Sequence, residues 1–155
     1  MRSLLFLLAL FLVAQLAVAQ NSLHFDGVND YADLGTLASN MVGVSEYTIE
    51  FWMKADKDNQ NDAGQVALLA INTSGGGNVL LVFMNYINNS GLLSLFNPNG
   101  SYFLHSNTIV GDNQWHHISI VRTSSNWELY IDGLLDSSSP NGATSFSNTD
   151  QWSLG

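Results

Sequence analysis

The hydrophobic positions of this chain recur every second residue, not every third or fourth. Between Tyr47 and Ala55, the side chains of Ile49, Phe51 and Met53 fall on one side and those of Thr48, Glu50, Trp52 and Lys54 on the other. Successive side chains of an extended backbone point to opposite faces, so this alternation predicts a half-buried strand. The run Trp115 to Arg122 repeats it, with Ile118 and Ile120 on one face and His117, Ser119 and Val121 on the other. Trp127, Leu129 and Ile131 share one face of the next strand, and Asp132-Gly133 then predicts a type I′ hairpin turn into Leu134-Leu135. Shorter apolar runs at 65–71, 79–85, 91–96 and 102–105 read as further strands. Turn-forming stretches separate them: Ser74-Gly-Gly-Gly77, Asn88-Asn-Ser-Gly91 and Asn97-Pro-Asn-Gly100. No segment carries a sustained helical period with caps. Many short strands, with no internal repeat and no dividing linker, predict one antiparallel sandwich or barrel.

Four phrases stand in a fixed order along this pattern. They are Leu23-His-Phe-Asp-Gly-Val-Asn-Asp-Tyr31, Tyr47-Thr-Ile-Glu-Phe-Trp52, Trp115-His-His-Ile-Ser-Ile-Val121 and Glu128-Leu-Tyr-Ile-Asp-Gly133. Each reads as a strand with a turn. Together they resemble the LamG-like jelly-roll family, the laminin G or concanavalin A-like lectin/glucanase domains. The resemblance covers about residues 22–155. It implies an all-β fold, an antiparallel jelly-roll β-sandwich, and a binding role. Gln151-Trp-Ser-Leu-Gly155 resembles the start of a late strand of that family, which a Gly-x-Ile-Asp-Glu-Val phrase normally follows. That phrase is absent, so the expectation is a domain over residues 20–155 that is incomplete at its C-terminus.

The first residues are expected to lie outside the fold. Arg2 precedes an apolar run from Leu4 to Ala14, and Ala17-Val18-Ala19 supplies a small-residue cleavage site. Residues 1–19 therefore read as a signal peptide cleaved after Ala19, which implies a secreted or cell-surface protein. No other apolar run is long enough to cross a membrane, so no insertion is expected after cleavage. The chain has no Cys, so its core must hold without disulfides. Thirteen acidic residues against four basic ones give a formal net charge of −9. Such a chain repels phosphate backbones and anionic membrane surfaces, which excludes nucleic acid as a partner.

Candidate chemistry is sparse. In the loop Phe25 to Tyr31, Asp26 and Asp30 are candidate Ca²⁺ ligands; the alternative is a hairpin whose short polar side chains bond their own backbone. Calcium wants about six to eight oxygens, so other loops would have to contribute. The acidic stretch Asp56 to Asp62 fails the EF-hand pattern, because its sixth position is Asn61 and its twelfth is Ala67. His116 and His117 are adjacent on a strand and point to opposite faces, so they cannot share a metal. One is expected to pack inside and the other to lie on the outer sheet face. No nucleophile elbow, zinc-protease or phosphate-loop motif occurs. No paired-carboxylate run of the glucanase kind occurs either; Glu50 and Glu128 stand apart.

Aromatic side chains can stack on the C–H face of a sugar while Asn, Asp and Ser bond its hydroxyls. Tyr86, Tyr102 and Trp127, close to Asn- and Ser-rich loops, are the candidate ligand-binding residues. Trp52, Trp115 and Trp127 are at the same time expected to belong to the core, and Trp115→Ala to unfold the domain.

The functional expectation is a secreted, non-catalytic module that binds carbohydrate or a glycoprotein surface, with Ca²⁺ as the candidate cofactor. One alternative is an N-terminal targeting module of a larger secreted glycosidase or peptidase, joined to further domains of the same polypeptide. Another is a protein-binding adhesion module. A self-standing glycosidase dependent on Glu50 or Glu128 ranks last.

Overall fold

Alternation becomes a two-layer sandwich once the ladders form. The structure, a computed structural model, describes residues 22–26, 29–36, 41–57, 66–73, 78–84, 90–96, 102–140, 146–147 and 149–155; for Val66, Asn78, Val79 and Tyr102 it describes the backbone alone. The expected signal peptide, the acidic stretch from 58 to 62 and Tyr86 lie outside the described residues.

Among the described residues there are ten strands and no helix: β1 (Ala32–Gly35), β2 (Tyr47–Asp56), β3 (Val66–Asn72), β4 (Asn78–Met84), β5 (Leu93–Phe96), β6 (Tyr102–His105), β7 (Asp112–Arg122), β8 (Trp127–Ile131), β9 (Leu134–Ser139) and β10 (Gln151–Leu154). One sheet has the order β1-β10-β3-β4-β5-β6 and the other β2-β7-β8-β9. Every pairing within them is antiparallel. The expected all-β antiparallel jelly-roll sandwich is therefore the fold observed.

The inner faces carry the core. Met53 of β2, Ile118 and Ile120 of β7 and Leu129 and Ile131 of β8 pack against Leu69 and Ile71 of β3, Leu80, Val82 and Met84 of β4 and Leu93 and Leu95 of β5. Ile49 and Phe51 are partly buried against the same cluster. Each fully buried aliphatic side chain contributes about 1.5–3 kcal/mol of transfer free energy. Trp127 sits within this layer at 1% exposure. Its ring meets Tyr47 edge-on at 5.8 Å and Phe103 at 5.3 Å, and the Arg122 guanidinium lies 5.5 Å from its centre.

The β8–β9 hairpin turns as its sequence predicts. Asp132 has φ 53° and Gly133 φ 79°, the two left-handed positions of a type I′ turn. Its far strand is tied to the opposite sheet by Asp136. That carboxylate accepts the Asn107 N–H at 2.6 Å and the Thr108 N–H at 2.9 Å, while Asn107 Nδ2 donates to the Asp136 carbonyl at 2.7 Å. The bond set joins β9 to the segment after β6 and closes one side of the sandwich.

One expected strand is replaced by irregular backbone. Within Leu23 to Tyr31 no described residue belongs to a strand, and the first strand begins at Ala32. Leu23 and Tyr31 are 68% and 71% exposed, so this stretch buries too little to hold a ladder. The Asp30 carboxylate instead takes the Asp26 N–H at 3.1 Å, a local bond of the kind that competes with sheet pairing.

Candidate functional site

The outer face of the four-stranded sheet is a grid fixed by register. Trp52 stands opposite His117, Lys54 opposite Trp115 and Glu50 opposite Ser119. Ser119 in turn stands opposite Tyr130, and Val121 opposite Glu128. Strands lie about 4.8 Å apart and same-face residues about 6.7 Å apart along a strand. Trp52 and Trp115 are therefore diagonal neighbours. They are 65% and 49% exposed, both on regular strands. The Trp52 and His117 rings lie 5.1 Å apart at 52°.

Hydrogen-bonding groups flank the indoles. Ser119 Oγ donates to Glu50 Oε1 at 3.2 Å. Tyr130 Oη donates to Glu128 Oε2 at 2.9 Å, and the Glu128 carboxylate, with some burial, holds this phenol above its ordinary value. Lys54 is exposed beside Trp115.

A charged cluster braces the end of the sheet that carries Trp115 and His117. The β2–β7 register shifts between Lys54 and Asp56, where β7 bulges and Asn113 takes φ 65°, a left-handed value that Asn tolerates. The bulge turns Asp112 back so that its Oδ1 accepts the Gln114 N–H at 2.9 Å and lies 3.1 Å from His116 Nε2. On the other side of the ring, His116 Nδ1 lies 2.8 Å from Asp132 Oδ2, and Asp132 Oδ1 accepts the His117 N–H at 2.9 Å. Burial alone would lower the His116 value; bonds to Asp132 and Asp112 outweigh it and raise it. Asp112 is lowered, first by its bond to His116 and then by the Gln114 N–H. Asp132 is lowered, first by the His117 N–H and then by His116.

The sequence-derived candidates fall elsewhere. Trp127 is a core residue: a ring 1% exposed offers no face to a ligand, so its assignment as a ligand-binding residue is corrected. Trp52 and Trp115 are corrected in the opposite sense, from core to surface. Tyr102 contributes its backbone to β6, and its side chain, like all of Tyr86, lies outside the described residues. Asp26 and Asp30 are both exposed. Among the described residues no group of three or more His, Cys, Asp or Glu is arranged to hold a metal, so these two carboxylates do not by themselves fit calcium. His116 and His117 divide as expected, His116 buried inward and His117 outward beside Trp52.

A profile described as the concanavalin A-like lectin/glucanases superfamily matches residues 26–155. The chain belongs to that superfamily. No curated protein matches the sequence. Among solved structures, this superfamily member is similar to the CBM40 module of the Ruminococcus gnavus IT-sialidase bound to α2,3-sialyllactose, with TM-score 0.63 and 16% identity over 88% of this chain and 77% of that one. It is similar to domains LG4-5 of the mouse laminin α1 chain, with TM-score 0.62 and 13% identity over 90% of this chain and 37% of that one. It is also similar to a candidate carbohydrate-binding protein of Bacteroides ovatus, with TM-score 0.56 and 17% identity over 81% of this chain and 34% of that one. The chain thus spans about a third of the length of that last protein. At these identities the likeness is one of fold.

Proposed function

We propose that this superfamily member is a secreted, non-catalytic carbohydrate-binding module. The observation that carries the reading is the pair of exposed indoles, Trp52 and Trp115, held on a rigid sheet face among Lys54, Glu50, Ser119 and Tyr130. Large aromatic surface is ordinarily buried; two adjacent exposed Trp side chains on regular strands are the stacking half of a sugar site. The neighbouring polar groups are the hydrogen-bonding half. Structures of similar fold that are named as carbohydrate-binding support the same reading.

A catalytic role draws no support from the carboxylates of this face. Glu50 and Glu128 are separated by the whole of β7 and by two positions along it. Ladder spacing places their Cα atoms about 12 Å apart. Each is already hydrogen-bonded to a neighbouring hydroxyl.

Secretion, through a signal peptide over residues 1–19, and attachment to further domains are parts of the proposal. So is calcium, in a conditional form: an ion at Asp26 and Asp30 requires additional oxygens from neighbouring segments. The test is a glycan and polysaccharide array with the full chain, in calcium and again in chelator, alongside a reducing-sugar assay. Binding without sugar release supports the module. Loss of binding in chelator assigns calcium a role. Sugar release that Glu50→Gln or Glu128→Gln abolishes replaces the module with a glycosidase.

A further inference from the structure

We infer that the outer face of β2, β7 and β8 takes the interior of an uncharged, extended polysaccharide chain. This inference rests on the carbohydrate-binding reading above and names the ligand class.

Three observations lead there. The first is spacing. Diagonal neighbours on an antiparallel pair lie about 7–8 Å apart, so Trp52 and Trp115 are spaced to meet two rings of a chain and not one. A single sugar covers one indole and leaves the other in water. The second is shape. Both indoles stand on strands whose same-face neighbours rise from one surface, and at 65% and 49% exposure each presents much of its ring to solvent, with the His117 ring beside Trp52. A chain end is told from a chain interior by a wall that stops the next residue. Among the described residues of β2, β7 and β8, a row of side chains standing side by side supplies no such wall.

The third is charge. Among the outward positions of β2, β7 and β8, Lys54 is the one lysine or arginine, with the His117 imidazole on the same face, against Glu50 and Glu128. Arg122 points inward and is 3% exposed. The whole chain carries −9. A polyanionic glycan would meet one cation on the face and a repulsive field around it, whereas an uncharged chain meets neither cost. The carboxylates and hydroxyls of the face bond sugar hydroxyls without requiring ligand charge.

The experiment is affinity gel electrophoresis of the full chain in gels containing hydroxyethylcellulose, xyloglucan, galactomannan or dextran, and in parallel gels containing alginate or polygalacturonate. Glucose, galactose, mannose and α2,3-sialyllactose serve as competitors. The expected result is retardation by at least one uncharged polymer and by neither acidic one, with no competition from monosaccharides. Trp52→Ala and Trp115→Ala should each weaken retention by roughly tenfold or more, as central aromatic contacts do. Trp52→Tyr and Trp115→Tyr keep a ring on the same strand and should retain part of it. If an alanine variant fails to melt cooperatively, acrylamide quenching of wild-type indole fluorescence decides instead; the polymer should shield it.

Preference for an acidic polymer, or competition by a monosaccharide, overturns the ligand class and leaves carbohydrate binding standing. Retention unchanged in both Trp variants overturns this face. Retention by no polymer at all overturns both this inference and the proposed function.

Discussion

His116 Nδ1 lies 2.8 Å from the Asp132 carboxylate, with Asp112 3.1 Å from the opposite ring nitrogen. Ionised carboxylates only accept hydrogen bonds, so both contacts are hydrogen bonds only when the ring is protonated, and the geometry favours the imidazolium. The raised His116 value fixes the sign of its contribution. That stability is fully present below the ordinary value of 6.5 and is lost as pH rises through the folded value. Asp112 and Asp132 are lowered from 3.8, so their contribution is present above 3.8 and lost as pH falls through the folded values. The melting temperature should therefore be highest between about pH 4 and 6.5 and fall on both sides. His116→Gln should flatten the alkaline limb. Melting curves across pH for both proteins check this.

Three of the four tryptophans should divide sharply in denaturant. Trp127→Ala empties a site in the centre of the core and should cost about 3–5 kcal/mol. Trp52→Ala and Trp115→Ala remove exposed rings and should change stability by about 1 kcal/mol or less. Urea midpoints at constant slope measure the difference.

Removing the Asp136 carboxylate should loosen the closure between the sheets. Asp136→Ala leaves the Asn107 and Thr108 N–H groups without their acceptor. Water reaches this exposed site, so the cost should be modest, about 1–2 kcal/mol. Hydrogen exchange offers the sharper readout: the Asn107 and Thr108 amides should lose protection while those of β7 keep theirs.

Gly111 should be intolerant of a single methyl group. An added Cβ would lie 3.0 Å from Gly91 Cα, from Lys57 Cβ and from Met84 Sδ. The Met84 sulfur can yield, but the Gly91 backbone cannot. Gly111→Ala should destabilise by about 1–3 kcal/mol, the usual cost of overpacking. The same substitution at Gly133, where a Cβ meets nothing within 4 Å, carries only the strain of φ +79°. Equilibrium unfolding of the two variants separates crowding from backbone strain.

The sheet ladders were legible in the sequence because period two is a local signal. Tyr102–His105 and the Asp132-Gly133 turn match to the residue. The faces of Trp52 and Trp115 are legible in the alternation too, but residue type points the other way. Trp52 alternates with Ile49, Phe51 and Met53 only if it is counted with Glu50 and Lys54, which places it outward. Trp115 is two positions from His117 and shares its side. Hydrophobicity argued for burial, while parity along the strand argued correctly for exposure. The Asp112–His116–Asp132 cluster was harder to see. It joins a bulge, a strand and a hairpin tip, and its bulge depends on Asn113 entering a left-handed conformation that no periodicity announces.

The alternation along β7 also fixes its alignment. A slip of one residue against β2 would carry Trp115 and His117 inward and expel His116, Ile118, Ile120 and Arg122. Ile118 and Ile120 are fully buried, so expelling them opposes the slip. The aspartates that meet His116 lie on β7 itself and on the turn beyond β8, so the cluster pins β7 to the β8–β9 hairpin and not to β2. The same slip against β8 would turn the His116 ring to the other face, away from Asp132. The inner face and the cluster therefore favour one alignment, the one that keeps both indoles in water.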